Sequence, residues 1–206
     1  MTTNKELKLR AKQLLGNHYF KKDWLFPVLA LLILSAALEL AGALTFGIGT
    51  IAAFGFICTA EARYFLGIKR GTVNKKDMTV LFNSVKDKPL DQLFLGLTHM
   101  LFVFLWTLLL IIPGIIKSYA YSMAYYIKLD HPEYTAKQAL KASEELMYGH
   151  KWQLFLLDLS FIGWFLLGIV TFGAALVWAA PYMGASKVEF YHDLTKGAVV
   201  LESITL

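Results

Sequence analysis

The sequence predicts an all-α, polytopic membrane protein, with six transmembrane helices forming three tandem helical hairpins, each entered through a short cytoplasmic amphipathic helix. Three observations carry this. Of 206 residues, 57% are hydrophobic and 17% charged, at a mean hydropathy of +0.52; a soluble domain carries roughly a quarter charged residues. The charges are bunched, which leaves six uncharged or nearly uncharged runs long enough to cross a bilayer core. Those runs come in pairs joined by tight turns, Thr45-Phe46-Gly47, Ile112-Pro113-Gly114 and Thr171-Phe172-Gly173. The single cysteine, Cys58, excludes an intramolecular disulfide.

In chain order the expected spans are Leu25–Leu44, Phe46–Leu66, Leu93–Ile112, Gly114–Leu129, Leu154–Val170 and Phe172–Tyr191. The hairpins open on related strings, Trp24-Leu25-Phe26, Gln92-Leu93-Phe94 and Gln153-Leu154-Phe155, spaced by 68 and then 61 residues. They close on aromatic pairs, Tyr64-Phe65, Tyr125-Tyr126 and Phe190-Tyr191, where amphipathic rings favour the interface. The chain therefore reads as one membrane domain over 1–206, with pseudo-repeats at about 1–66, 67–129 and 130–195 and a cytoplasmic tail at 196–206.

Each hairpin is preceded by an amphipathic segment. Thr3-Asn4-Lys5-Glu6 has the spacing of a capping box and is followed by Leu7, Ala11, Leu14 and Leu15 on one face. Asp77 caps a short middle helix carrying Met78, Leu81, Phe82 and Val85. Thr135-Ala136-Lys137-Gln138 opens the third, with Ala139, Leu140, Ser143, Leu146 and Met147 on one face and a stop at Gly149. Basic residues flank the apolar stripes, so these helices are expected to lie along the inner leaflet, with anionic headgroups as partners, or to cover the ends of the bundle.

Of the 20 Lys and Arg residues, 17 fall in 1–24, 67–92, 128–153 or the tail, and the three tight turns hold none. The positive-inside rule then puts the N-terminus and the C-terminus in the cytoplasm of a multi-pass membrane protein.

The run Leu146-Met147-Tyr148-Gly149-His150-Lys151-Trp152-Gln153-Leu154-Phe155, the string Leu159-Ser160-Phe161-Ile162-Gly163-Trp164 and the later Pro181-Tyr182, Phe190-Tyr191 and Leu194 resemble a bacterial integral membrane protein family catalogued as domain of unknown function 975. Ile112-Pro113-Gly114-Ile115-Ile116-Lys117-Ser118-Tyr119 adds a second point of likeness, which extends over nearly the whole chain. The resemblance implies a polytopic bacterial membrane protein with no assigned activity and brings no catalytic residues with it.

Ionisable residues inside spans are costly and are candidates for function by default. Depth from the turns puts Glu39 and Lys117 in an outer layer, as an expected pair between the first two hairpins. An inner layer holds Glu61, Arg63, Asp158, Lys187 and Glu189. Alignment of the hairpin exits matches Glu61 to Lys187 and Arg63 to Glu189 with charges exchanged, so these are the expected pairs, with Asp158 joining Arg63 or Lys187. His99 is the one histidine within a span and reads as a hydrogen-bonded polar residue. Gly49 with Ala53, Ala120 with Ala124, Ala175 with Ala179 and Ala180 with Gly184 have the spacing of close helix packing.

No phosphate loop, catalytic carboxylate pair or Ser-His-Asp order is legible, so no catalytic, cofactor or metal site is expected. The expected function is a scaffold or regulator acting through membrane or protein contacts, with a membrane-protein partner or a second copy of itself and no nucleic acid. The alternative is a small transporter or channel using Glu39, Lys117 and Asp158. A third reading is an intramembrane lipid-acting enzyme with His99 or Asp158 as acid or base.

Overall fold

A computed structural model of the chain describes residues 2–15, 25–44, 48–74, 77, 79–86, 88–109, 111–171 and 174–205. These form helices only: α1 (Asn4–Leu15), α2 (Leu25–Leu44), α3 (Ile48–Lys69), α4 (Thr79–Lys86), α5 (Pro89–Leu109), α6 (Ile111–Tyr121), α7 (Ala124–Asp130), α8 (Ala136–Leu146), α9 (Lys151–Leu159), α10 (Ile162–Val170) and α11 (Ala174–Thr205). The turns at 45–47 and 172–173, the side chain of Glu39, Trp24, Met78 and the side chains of Gly49, Ala53 and Val85 lie outside the described residues.

Helices α2 and α3, α5 and α6, and α10 and α11 pack against each other as consecutive pairs, and α3 joins the pairs by packing on α5, α7 and α11. Glycines set two of these crossings. A Cβ on Gly96 of α5 would lie 2.6 Å from the Gly55 Cα of α3, and one on Gly184 of α11 would lie 2.3 Å from the Phe65 ring. Of the small residues singled out above, Ala120, Ala124, Ala175, Ala179 and Gly184 are buried, whereas Ala180 is exposed.

The three amphipathic helices form where expected, but they dock on the bundle. Glu6 and Thr3 complete a capping box at α1, with Thr3 N–H donating to Glu6 Oε2 at 3.0 Å, and Thr135 and Gln138 complete another at α8. Asp77 Oδ1 accepts from the Thr79 N–H at 3.0 Å at the start of α4. Leu7, Ala11 and Leu15 of α1 are buried against α11 and α9; Leu81 of α4 is buried where that helix packs on α3; α8 packs on α5, α6 and α7.

Three boundaries differ from expectation, each for a local reason. Helix α5 starts at Pro89, where a missing N–H costs nothing, after Lys88 takes a left-handed φ of 47°. The Ile112-Pro113-Gly114 turn is instead the first turn of α6, with Gly114 against Thr107 of α5. The tail at 196–206 continues α11 as far as Thr205.

Among the described residues two helical stretches, Pro89–Leu108 and Lys151–Val170, are long and apolar enough to cross a membrane. Their outward faces carry Leu101, Phe104 and Leu108 of α5 and Ile162, Leu166, Ile169 and Val170 of α10, with Ile169 and Val170 75% and 76% exposed. Meanwhile Thr59, Gln92, Ser143, Ser186 and Glu189 are buried.

Candidate functional site: two interrupted helices and a polar core

The fourth expected span is broken between α6 and α7, at Ser122 and Met123. A break removes ladder hydrogen bonds, and buried backbone groups must find other partners. Ser143 of α8 supplies them. Its Oγ accepts from the Met123 N–H at 3.1 Å and donates to the Ala120 carbonyl at 2.7 Å, so one hydroxyl uses both its donor and an acceptor site to bridge the gap. Ser143 has no exposed surface. The helix restarts with the Ile127 N–H on the Met123 carbonyl at 3.1 Å.

The fifth expected span is broken between α9 and α10, at Ser160 and Phe161. Ser160 N–H still reaches the Leu156 carbonyl at 3.0 Å, and Phe161 N–H reaches Asp158 at 2.9 Å. The Ser160 carbonyl accepts instead from Lys8 Nζ of α1 at 3.0 Å, and the same ammonium lies 4.2 Å from the centre of the Phe161 ring. Burial, and then Lys12 one turn away, push the Lys8 pKa below the ordinary lysine value. The N-terminal end of α1 is clasped by Gln153, whose Nε2 donates to the Thr2 carbonyl at 2.8 Å while Asn4 Nδ2 donates to the Gln153 carbonyl at 3.3 Å. Arg10 pairs with Asp193 at 2.8 Å.

The two interruptions are neighbours, because α6 packs on α9: Tyr119 meets Phe155 edge to face at 5.9 Å, and its hydroxyl faces Asp158. Lys117, two residues before Tyr119, pairs with Glu144 of α8 at 2.5 Å and lies 4.8 Å from the Trp106 ring centre. The side chain of Glu39, the expected partner of Lys117, lies outside the described residues.

In the inner layer Lys187 acts electrostatically on Glu61, the expected partners, with Cys58 beside them. Glu189, expected to pair with Arg63, is 1% exposed and has Lys69 Nζ on both carboxylate oxygens, at 2.5 and 2.7 Å. Arg63 lines a pocket between α3 and α4. Asp158, expected to join Arg63 or Lys187, interacts with Tyr119 of the second hairpin. Further along, Tyr126 stacks on Tyr191 at 5.2 Å, and the Tyr191 hydroxyl donates to Asp130 Oδ2 at 2.7 Å, whose other oxygen meets Arg70 at 2.6 Å.

His99 is buried in an aromatic box, stacked on Tyr125 at 5.5 Å and edge-on to Phe54 and Tyr121 at 6.0 Å each. Among the described residues its Nδ1 has no hydrogen-bond partner. It lines a groove of about 720 Å³ on the outer side of α5, with Leu101, Phe104 and Thr107. Among the described residues no group of three or more His, Cys, Asp or Glu residues could hold a metal ion.

The family model described as protein of unknown function, DUF975, matches residues 80–198. The chain belongs to this family. No curated protein and no solved structure matches it. The matched region runs from α4 into α11 and so contains both interruptions; α1, α2 and α3 precede it, so the match covers less than the likeness read from the sequence. The strings that carried that likeness fall on the site itself: Leu159 to Trp164 is the α9–α10 interruption, and Ile112 to Tyr119 is the part of α6 that presents Lys117 and Tyr119.

Sequence reasoning gave no site role to Ser143, Lys8, Glu144, Lys69 or Tyr119. Ser143 left the clearest signal, a hydroxyl in the middle of an otherwise apolar helix face.

Proposed function

We propose that the chain is a multi-pass membrane protein of the bacterial cell membrane, with six spans in three tandem hairpins and both termini cytoplasmic, that works as a scaffold or regulator by contact rather than by catalysis. The observation that carries this reading is the outward face of α5 and α10, where large apolar side chains stand exposed while polar residues are buried, an inversion that suits lipid or a lateral helix partner. The amphipathic helices are already used in the fold, since α1 and α8 complete the two interruptions. The lateral face of the spans is therefore where a protein partner would bind.

Photo-crosslinking residues at Phe104 and Ile169 in native membranes test this. A discrete protein adduct, with a partner or a second copy, is the expected result; adducts to lipid alone at both positions would overturn it. In a Cys58→Ala background, a cysteine at the exposed Ile112 should react with reagent supplied from outside and not from the cytoplasm; the reverse would overturn the orientation.

A second reading, a small transporter, is favoured by one observation: two interrupted helices lie side by side with Lys117, Asp158 and Tyr119 around them, and discontinuous helices often form binding sites in transporters. Flux across liposomes that falls in Asp158→Asn or Glu39→Gln would support it. Background flux for a panel of ions and solutes would remove it.

A further inference from the structure

Helices α1 and α8, expected along the inner leaflet, turn their apolar faces into the bundle, with Leu7, Ala11 and Leu15 of the one and Ala139 and Leu140 of the other buried. The short turn between α8 and α9 does the opposite. Its Tyr148 is 83% exposed and Trp152, at the start of α9, is 67% exposed, the two most exposed of the described Phe, Tyr and Trp side chains. They lie four residues apart, on either side of Gly149 at a φ of 78°.

The outward surface changes character at this turn. From Trp152 onward α9 exposes Leu156 and Leu159, at the i, i+4, i+7 spacing of one helix face, while Leu154 and Leu157 are buried. Phe155 stacks on the Trp152 ring at 5.0 Å, and Ile162 and Leu166 carry the apolar face into α10. Before the turn, α8 exposes Lys137, Lys141 and Glu145. Rings with an apolar body and a polar edge collect where hydrocarbon gives way to water.

Two cations stand at the same boundary. Lys151 opens α9, and Lys5 follows Asn4, which is tied to Gln153 through the clasp that holds the N-terminal end of α1. The neighbouring acids are engaged elsewhere: Glu144 with Lys117, Glu145 with Lys141 at 3.9 Å, Asp158 with Tyr119, and Glu6 with Thr3. Among the described residues neither Lys5 nor Lys151 takes part in an ion pair.

We propose that the α8–α9 turn is a headgroup site of the inner leaflet, with Tyr148 and Trp152 at the level of the glycerol esters and Lys151 and Lys5 on the phosphate of an anionic phospholipid. The proposal rests on the membrane reading above. A lipid fits better than a protein, because cations and amphipathic rings meet here at the cytoplasmic end of Lys151–Val170, a stretch long and apolar enough to cross a membrane.

The test uses the full chain in vesicles of phosphatidylcholine and phosphatidylglycerol, with Tyr148→Cys or Ile162→Cys labelled by a fluorophore in the Cys58→Ala background. One lipid at a time carries a nitroxide quencher, either near the glycerol or at the end of the acyl chain. At position 148 the nitroxide near the glycerol should quench more than the one at the chain end, and labelled phosphatidylglycerol more than labelled phosphatidylcholine. At position 162 the chain-end nitroxide should quench more. Lys151→Gln and Lys5→Gln should each lower the preference for phosphatidylglycerol about fivefold, whereas Lys137→Gln, on the exposed side of α8, should leave it unchanged. Equal quenching by the two lipids at position 148, stronger quenching there from the chain end, no quenching there while position 162 is quenched, or an equal loss in Lys137→Gln would each overturn the headgroup site. Position 162 quenched by neither nitroxide would instead overturn the membrane reading.

Discussion

At the α6–α7 interruption the bridging group is a neutral hydroxyl with no exposed surface, bonded to a backbone donor on one side and a backbone acceptor on the other. At the α9–α10 interruption it is the ammonium of a half-buried lysine that touches one carbonyl and one ring face. The difference follows from burial. A sealed gap leaves both an N–H and a C=O without water, and a hydroxyl is a compact group able to serve both. An ammonium only donates, and it is tolerated where part of it still reaches solvent, because full burial of an unpaired charge costs far more than one hydrogen bond returns. The first interruption is thus fixed by the core, and the second is held from the edge by a helix of its own, α1.

Removing the hydroxyl should have the larger effect. Ser143→Ala leaves the Met123 N–H and the Ala120 carbonyl without this partner in the interior, and at about 1–3 kcal/mol for each unsatisfied group the cost should be about 2–6 kcal/mol. Denaturant unfolding in detergent, followed by helix content, measures it. A cost below that of Lys8→Met would break the comparison, since it would mean that water or a neighbour satisfies the gap as well as Ser143 does.

Thr135→Ala comes next. It removes the capping box that starts α8, whose Thr135 N–H donates to Gln138 Oε1 at 2.8 Å, and should cost about 1 kcal/mol, the usual value of a lost cap. Because Ser143 sits two turns further on, a loss close to that of Ser143→Ala would show that the cap and the bridge act as one unit.

The arrangement was legible in part, and the division is physical. The helical segments, their pairing and both capping boxes are local, since they depend on composition over about 20 residues or on contacts three residues apart, and the helices of each pair start within a few residues of the expected positions, whereas α11 runs on past Tyr191 to Thr205. Glu61 and Lys187 could be matched because aligned repeats place them at equal depth. Lys117 could not, because its partner Glu144 sits on a helix whose amphipathic pattern reads as surface, and counting depth from a turn assumes that the chain stays at the surface between hairpins. The interruptions themselves left little trace. Ser122 and Ser160 are ordinary enough in helices, and what stabilises each break comes from 20 residues away in one case and 152 in the other.

The smallest effect is expected at Lys8. At neutral pH its contacts with the Ser160 carbonyl and the Phe161 ring are offset by the desolvation that lowers its pKa, so Lys8→Met should cost about 0.5 kcal/mol, within the range of part-exposed charged contacts. The cost should depend on pH in a defined direction. A lysine whose folded pKa lies below its unfolded value binds its proton less tightly when folded, so the wild-type chain gains stability from this group as pH rises toward the ordinary lysine value, about 10.4. The neutral amine can still donate to the Ser160 carbonyl, so the contact survives while the desolvation penalty is relieved. The difference between wild type and Lys8→Met should therefore widen between neutral pH and that value. A difference that shrinks over the same range would show that the ammonium charge itself holds the second interruption, as the hydroxyl holds the first.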